Sequence, residues 1–299
     1  MKRNSRKISF LTLVCLILVS PFLSAQNQVE DAIRQMPEDN VSGYLQPFLN
    51  AFGATMNSGF SGTAIRDGDV TVRIDLVGMA TVIGSAQELY NAKPPSHFPQ
   101  ESVETATIFG DQGAVIQGPQ GLSYKFQNGQ LNMEYFPLVA PQLTIGNIYN
   151  SQLVVRFFTY SSDSDVPDIN MLGLGFRHAL NPYFENLPFD LTAGLFYQNF
   201  SVGEIMKTNM IALNGMVSKQ FNMFSVYGGA QFEYAGMNLN YEFEGAAAGE
   251  NPEVDFTFSS ENFVRAFAGF NIDMKFVHFR TDVSLGKVSV LSAAIGFGI

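Results

Sequence analysis

The side chains that could carry chemistry are few. The chain has three histidines and a single cysteine, Cys15. His97 lies in a proline-rich run, NAKPPSHFPQ, and His178 closes a strand-like run. His278 shares an alternating face with Ser284, but at ~3.3 Å per strand residue the two sit roughly 20 Å apart. A nucleophilic serine must touch its base. Only a Ser–His pair reaching across two strands, as in outer-membrane lipases, stays open to the sequence. No G-x-S-x-G, H-E-x-x-H or phosphate-binding loop occurs. The expectation is no catalytic residue, no enzyme and no cofactor. The run SSDSDVPDIN at 161–170 offers Asp163, Asp165 and Asp168. Spaced carboxylates suit Ca²⁺, but the glycine and distal glutamate of an EF-hand loop are missing, so the run reads first as a solvated loop.

A larger set of charges recurs at every second residue. Arg73, Asp75, Arg156, Arg177, Glu233, Arg265, Asp273, Lys275, Arg280 and Asp282 each fall on the polar face of a period-two pattern. That period belongs to strands. In 70–83, Val70, Val72, Ile74, Leu76, Gly78, Ala80 and Val82 share one face, and Thr71, Arg73, Asp75 and Thr81 the other. The runs 223–234, 262–276 and 277–285 alternate in the same way, and 291–299 sets Leu291, Ala293, Ile295, Phe297 and Ile299 against small residues. Less regular strands are expected at 151–160, 168–178, 189–200 and 205–218.

Several of these runs reach the ~9–11 residues of a tilted membrane-crossing strand, longer than the ~5–6 usual in globular sheets. Connections alternate between tight (219–222, 275–276) and long and polar (85–101, 161–167, 242–256). The fold expected is all-β: a transmembrane antiparallel β-barrel of about 12–14 strands over residues 56–299. Its polar face would look into the lumen, making the ten charges above lumen-lining candidates. There is no tryptophan, so an interfacial girdle would need tyrosine and phenylalanine. A water-soluble sandwich also alternates and remains the competing architecture.

The N-terminus points to export. Lys2, Arg3, Arg6 and Lys7 precede an apolar stretch, Ile8 to Leu23, and Ser24-Ala25 offers a cleavage site. This is the pattern of a secretory signal peptide over residues 1–25, cut after Ala25. Cleavage would remove the cysteine. It would also remove four basic residues from the 17, against 27 acidic ones, leaving a net charge of −14. Such a balance excludes nucleic acid as a partner. Residues 26–55 form a helical segment, with Tyr44, Leu45, Phe48, Leu49 and Phe52 on one face and Pro47 in its first turn. These five are plug candidates, and a short amphipathic helix packed elsewhere is the alternative.

Several stretches carry a family resemblance. GYLQPFLNAFGATMNSGFSGTA at 43–64 is followed by the strand VTVRIDLVGMA. TATIFG at 105–110, APQLTIG at 140–146, LVVRF at 153–157 and the C-terminal AAIGFG add to it. Together they resemble a domain-of-unknown-function family of Bacteroidota outer-membrane proteins. Phe60-Ser61 departs from that family's usual aromatic pair. The resemblance implies an outer-membrane barrel, more distantly similar to fatty-acid-transporter-like barrels with an N-terminal plug, and brings no catalytic residues. Expected partners are outer-membrane lipid, the barrel-assembly machinery during biogenesis, and a small or hydrophobic solute. Passage or binding of that solute through a plugged lumen is the first functional expectation. A structural or partner-docking barrel is the second, and an outer-membrane hydrolase a distant third.

Overall fold

The computed structural model describes residues 36, 38–62, 69–161, 167–242 and 253–298. The expected signal peptide, residues 26–35, Asp163 and Asp165 lie outside these described residues. Helix α1 spans Glu38–Met56. It starts earlier than the apolar stripe suggested, so Pro47 sits in the helix interior and not in its first turn. An interior proline removes one intrahelical hydrogen bond and crowds the preceding turn. The helix persists because Val41, Tyr44, Leu45, Leu49 and Phe52 are all buried, which supplies tertiary support that propensity does not.

Fifteen strands follow among the described residues: β1 Thr71–Val82, β2 Leu89–Ala92, β3 Val103–Ala106, β4 Val115–Gln117, β5 Ser123–Lys125, β6 Tyr135–Ile148, β7 Ser151–Tyr160, β8 Ile169–Ala179, β9 Asp190–Val202, β10 Met206–Phe221, β11 Phe224–Glu242, β12 Glu253–Ser259, β13 Val264–Met274, β14 Val277–Leu285 and β15 Ser289–Gly298. The large sheet runs β10-β9-β8-β7-β6-β1-β15-β14-β13-β11-β12 and closes through β10–β11. β12 pairs with residues 236–242 of β11 and β13 with 224–232. They are two lengths of one stave, broken at 260–263. The wall is therefore a closed antiparallel barrel of ten staves, below the 12–14 expected. Two segments account for the shortfall. Residues 57–62 run inside the lumen and not in the wall. Residues 83–134 form an insert whose hairpins, β2–β3 and β4–β5, make small sheets of their own around Ala92, Phe98, Ile116 and Phe126.

The pleat sorts residues inward and outward. On β8, Met171, Gly173, Gly175 and Arg177 are buried while Leu172, Leu174 and Phe176 are about half exposed. The same exposure of large apolar residues on the outer face, with buried polar side chains on the inner one, recurs on β1, β10, β11, β13 and β15. The two ends of the barrel differ. One end carries short links at 149–150, 222–223 and 275–276, the ten-residue connection 180–189, the start of β1 and the end of β15. Tyr149 and Asn150 both have positive φ, 49° and 56°, as a tight two-residue hairpin turn requires. The other end carries the insert and the long connections after β7 and β11.

Candidate functional site

The lumen is filled along its length by α1 and by the strap, residues 57–62. The upper level, on the insert side, is apolar. Tyr44, Leu45, Leu49 and Phe52 are buried there, and Phe48 is partly buried. The Phe136 ring meets Phe48 edge-on at 5.5 Å and Phe52 at 6.4 Å, and Phe200 lies 5.0 Å from Phe52. Thr55 Oγ1 lies 2.6 Å from Thr81 Oγ1 on β1. The insert grips the start of the helix: the Ile108 N–H donates to the Tyr44 carbonyl, and the Tyr44 hydroxyl to the Asn128 carbonyl. Within the insert, burial pushes the Tyr90 hydroxyl above its ordinary pKa, with nearby Tyr124 adding to the rise.

The lower level is polar, and the wall reaches for main chain. A helix ends with carbonyls that have no intrahelical donor and with a partial negative charge. Arg156, fully buried, donates from Nη1 to the Met56 carbonyl at 2.9 Å and from Nη2 to the Ser58 carbonyl at 2.7 Å. Its Nε donates to Gln142 at 3.0 Å. Gln198 also donates to the Met56 carbonyl, Gln231 to that of Asn57, and Arg280 to that of Gly59. Phe60 lies between the Arg156 guanidinium, 3.7 Å from its ring centre, and the stacked ring of Phe196 at 4.1 Å. Gly59 is required here: its φ is +70°, and a Cβ would come within 2.6 Å of Val77. Next along the strap, Ser61 donates to Asp282, which also accepts from Tyr227. A Cβ on Gly62 would stand 3.2 Å from the guanidinium nitrogens of both Arg177 and Arg280. A small cavity of about 10 Å³, room for about one water, lies beside the strap, lined by Asn57, Phe60, Asn214, Gln231, Arg265 and Asp282 among others.

The charges singled out in the sequence divide into groups. Arg156 and Arg280 hold the strap, and Arg177 donates to Gln152. Arg265 and Glu233 form a buried ion pair at 2.6 Å, with Arg265 also donating to Ser58 and Ser284. Arg73 pairs with Asp75 at 3.2 Å. Asp273 meets His278 at 2.6 Å near the short-turn mouth. Lys275 is not in the lumen: it is exposed in the β13–β14 turn, with positive φ, its ammonium 5.0 Å from the Phe276 ring centre. Alternation counted through a turn assigned it to the wrong place. Asp168 is exposed, and among the described residues no cluster of three or more potential ligands could hold a metal. A cross-strand serine–histidine pair does exist. Ser151 Oγ lies 2.8 Å from His178 Nδ1, and Tyr183 Oη 3.0 Å from Nε2. It sits on the outer face at the short-turn end. Both ring nitrogens meet hydroxyls, where a catalytic imidazole is oriented by a carboxylate or amide. The amides Gln142, Gln198 and Gln231, which complete the clamp, carried only one signal in the sequence, their place on the inward face.

A closed antiparallel barrel with a lumenal helix and a polar strap is the class defined by this geometry. The chain belongs to a family of unknown function (DUF6588), matched over residues 1–299. No curated protein matches it. Among solved structures, the translocator domain of the autotransporter NalP from Neisseria meningitidis is 10% identical, with 94% of this chain and 96% of that chain covered and a TM-score of 0.30. A Pseudomonas aeruginosa FadL homologue is 10% identical, covering 88% and 98%, at 0.27. The N-terminal β-barrel domain of Pseudomonas aeruginosa OprF is 9% identical, covering 77% and 97%, at 0.25.

Proposed function

We propose that the protein is an integral outer-membrane barrel, held shut by its own N-terminal segment, that binds or passes a small or hydrophobic solute when the strap gives way. The membrane reading is carried by one observation, the inverted surface. Leu172, Leu174, Phe176, Leu195, Leu213 and Phe232 are each about half exposed or more on adjoining staves. Water-soluble monomers rarely show contiguous apolar patches beyond a few hundred Å². On β11 the outward apolar run from Phe224 to Tyr234, at ~3.3 Å per residue and ~40° of tilt, spans about 25 Å, the height of an outer-membrane apolar band. Above Tyr197 and Tyr234 the outward residues turn polar, with Asn199 and Tyr197 both donating to Asn209. Below it, Tyr149, Tyr183, Phe184, Phe221 and Phe276 are exposed around the short-turn end, as an interfacial girdle without tryptophan would be.

The solute reading is supported by how the lower plug is held. Its fixings are one stacked ring and hydrogen bonds, most of them to main chain, and water or a polar solute can replace the hydrogen bonds. Single-channel conductance of purified full-length protein is expected to be silent, and deletion of residues 26–62 is expected to open a steady conductance. Silence in both would overturn the solute reading. A docking barrel is favoured by a separate observation, the insert's own core. Mild crosslinking followed by pull-down would recover a defined partner if that second reading holds.

A further inference from the structure

The path of the chain through the barrel fixes which face the start of α1 reaches. At the top of α1, Asp39 pairs with Lys93 at 3.0 Å, and Asn40 exchanges two hydrogen bonds with the Lys93 backbone. Lys93 belongs to the insert, which joins the upper ends of β1 and β6. Lower down, Asn50 accepts from the Glu261 backbone N–H and its carbonyl accepts from Asn262, at the break in the tenth stave. Met56 and Ser58 reach Arg156, level in register with Gln142 and Asp75. Ser61 meets Asp282, and Gly62 lies against Arg177 and Arg280, close to the short-turn end. β1 then starts at that same end, its Arg73 opposite Gly298 of β15. The 19 residues of α1, at 1.5 Å each, add about 28 Å of descent before the strap begins.

From this we infer that the lumenal segment is threaded from the long-loop face, so the start of α1 at Asp39 lies beside the insert, on the side opposite the end of β15. In outer-membrane barrels long loops face outward and short turns the periplasm. The first turn of α1 is then displayed at the cell surface, where Asp39 and Asn40 meet the insert. A plug of this kind is reached by an external partner, and a pull from outside acts along the helix axis. A hatch hinged from the periplasm would answer to the opposite side.

The inference rests on the membrane reading, and its test separates the two. In a Cys15→Ala background, Asp39→Cys, Leu122→Cys in the insert and Glu185→Cys in the β8–β9 connection are each labelled on intact cells with a charged, membrane-impermeant maleimide. Asp39→Cys and Leu122→Cys are expected to label on intact cells, and Glu185→Cys only after the outer membrane is permeabilised. Labelling of Asp39→Cys only after permeabilisation, with Leu122→Cys accessible from outside, would overturn the threading. Outside labelling of Glu185→Cys with both others protected would overturn the outward display. A chain recovered in the soluble periplasmic fraction would fail the membrane reading instead, before any labelling pattern is read.

Discussion

The two levels of the lumen solve the same packing problem with opposite chemistry. Above, α1 fills the barrel with phenylalanine, leucine and methionine against apolar wall residues such as Phe136, Met171, Met210 and Met237. Below, the end of α1 and the first half of the strap are held by arginine and glutamine side chains that donate to the carbonyls of Met56, Asn57, Ser58 and Gly59. Apolar burial is non-directional and grows with area. Hydrogen bonds to main chain are directional and contribute little net stability, though a buried carbonyl stripped of its donor is expensive. The upper level is therefore built to hold the segment in place. The lower level is built to set its exact course and can exchange partners with water.

That contrast can be broken from either side. The largest effect is expected above. Phe52→Ala should lower unfolding stability of the detergent-solubilised protein by about 3–5 kcal/mol, read by denaturant titration, without a steady conductance. Below, Arg156→Ala strips donors from two carbonyls and removes a face of the Phe60 sandwich. It should lower stability by about 1–3 kcal/mol yet produce flickering conductance that Phe52→Ala lacks. Arg156→Lys should not restore silence, because an ammonium cannot reproduce the fork that spans Met56 and Ser58. Equal conductance from the Phe52 and Arg156 variants would erase the distinction between the levels.

The smallest effect is expected at the rim. The hydrogen bond from Lys287 holds the Glu261 carboxyl below its ordinary value of 4.5. A depressed carboxyl stabilises the fold above that ordinary value, and its contribution fades as the pH falls through the folded pKa. Both side chains are about half exposed, so the loss should be no more than about 1 kcal/mol. Unfolding curves of Glu261→Gln and the parent protein should therefore differ slightly at pH 7 and draw together as the pH falls below 4.5 through the folded pKa.

Much of the wall was legible in the sequence, because a barrel strand with an apolar outer face and a more polar inner face must alternate. β1, β11, β13, β14 and β15 follow directly from that period. The insert was not, since strands of three or four residues such as β4 and β5 are too short to establish a period. The strap was hidden for a related reason. Asn57-Ser58-Gly59-Phe60-Ser61-Gly62 falls within the span expected to form the wall, and only the barrel around it gives its carbonyls partners. The inward arginines could be read from their parity, but what they hold could not. Their acceptors are main-chain atoms, which every residue possesses and no sequence marks.

The account depends on hydrocarbon covering the apolar outside of the staves. Heat-modifiable gel mobility of the chain taken from fractionated outer membranes tests this most directly. A closed barrel in lipid predicts detergent-dependent extraction and a folded band that migrates faster before boiling than after. Recovery of the processed chain in a detergent-free periplasmic extract, with one mobility whether boiled or not, would contradict it.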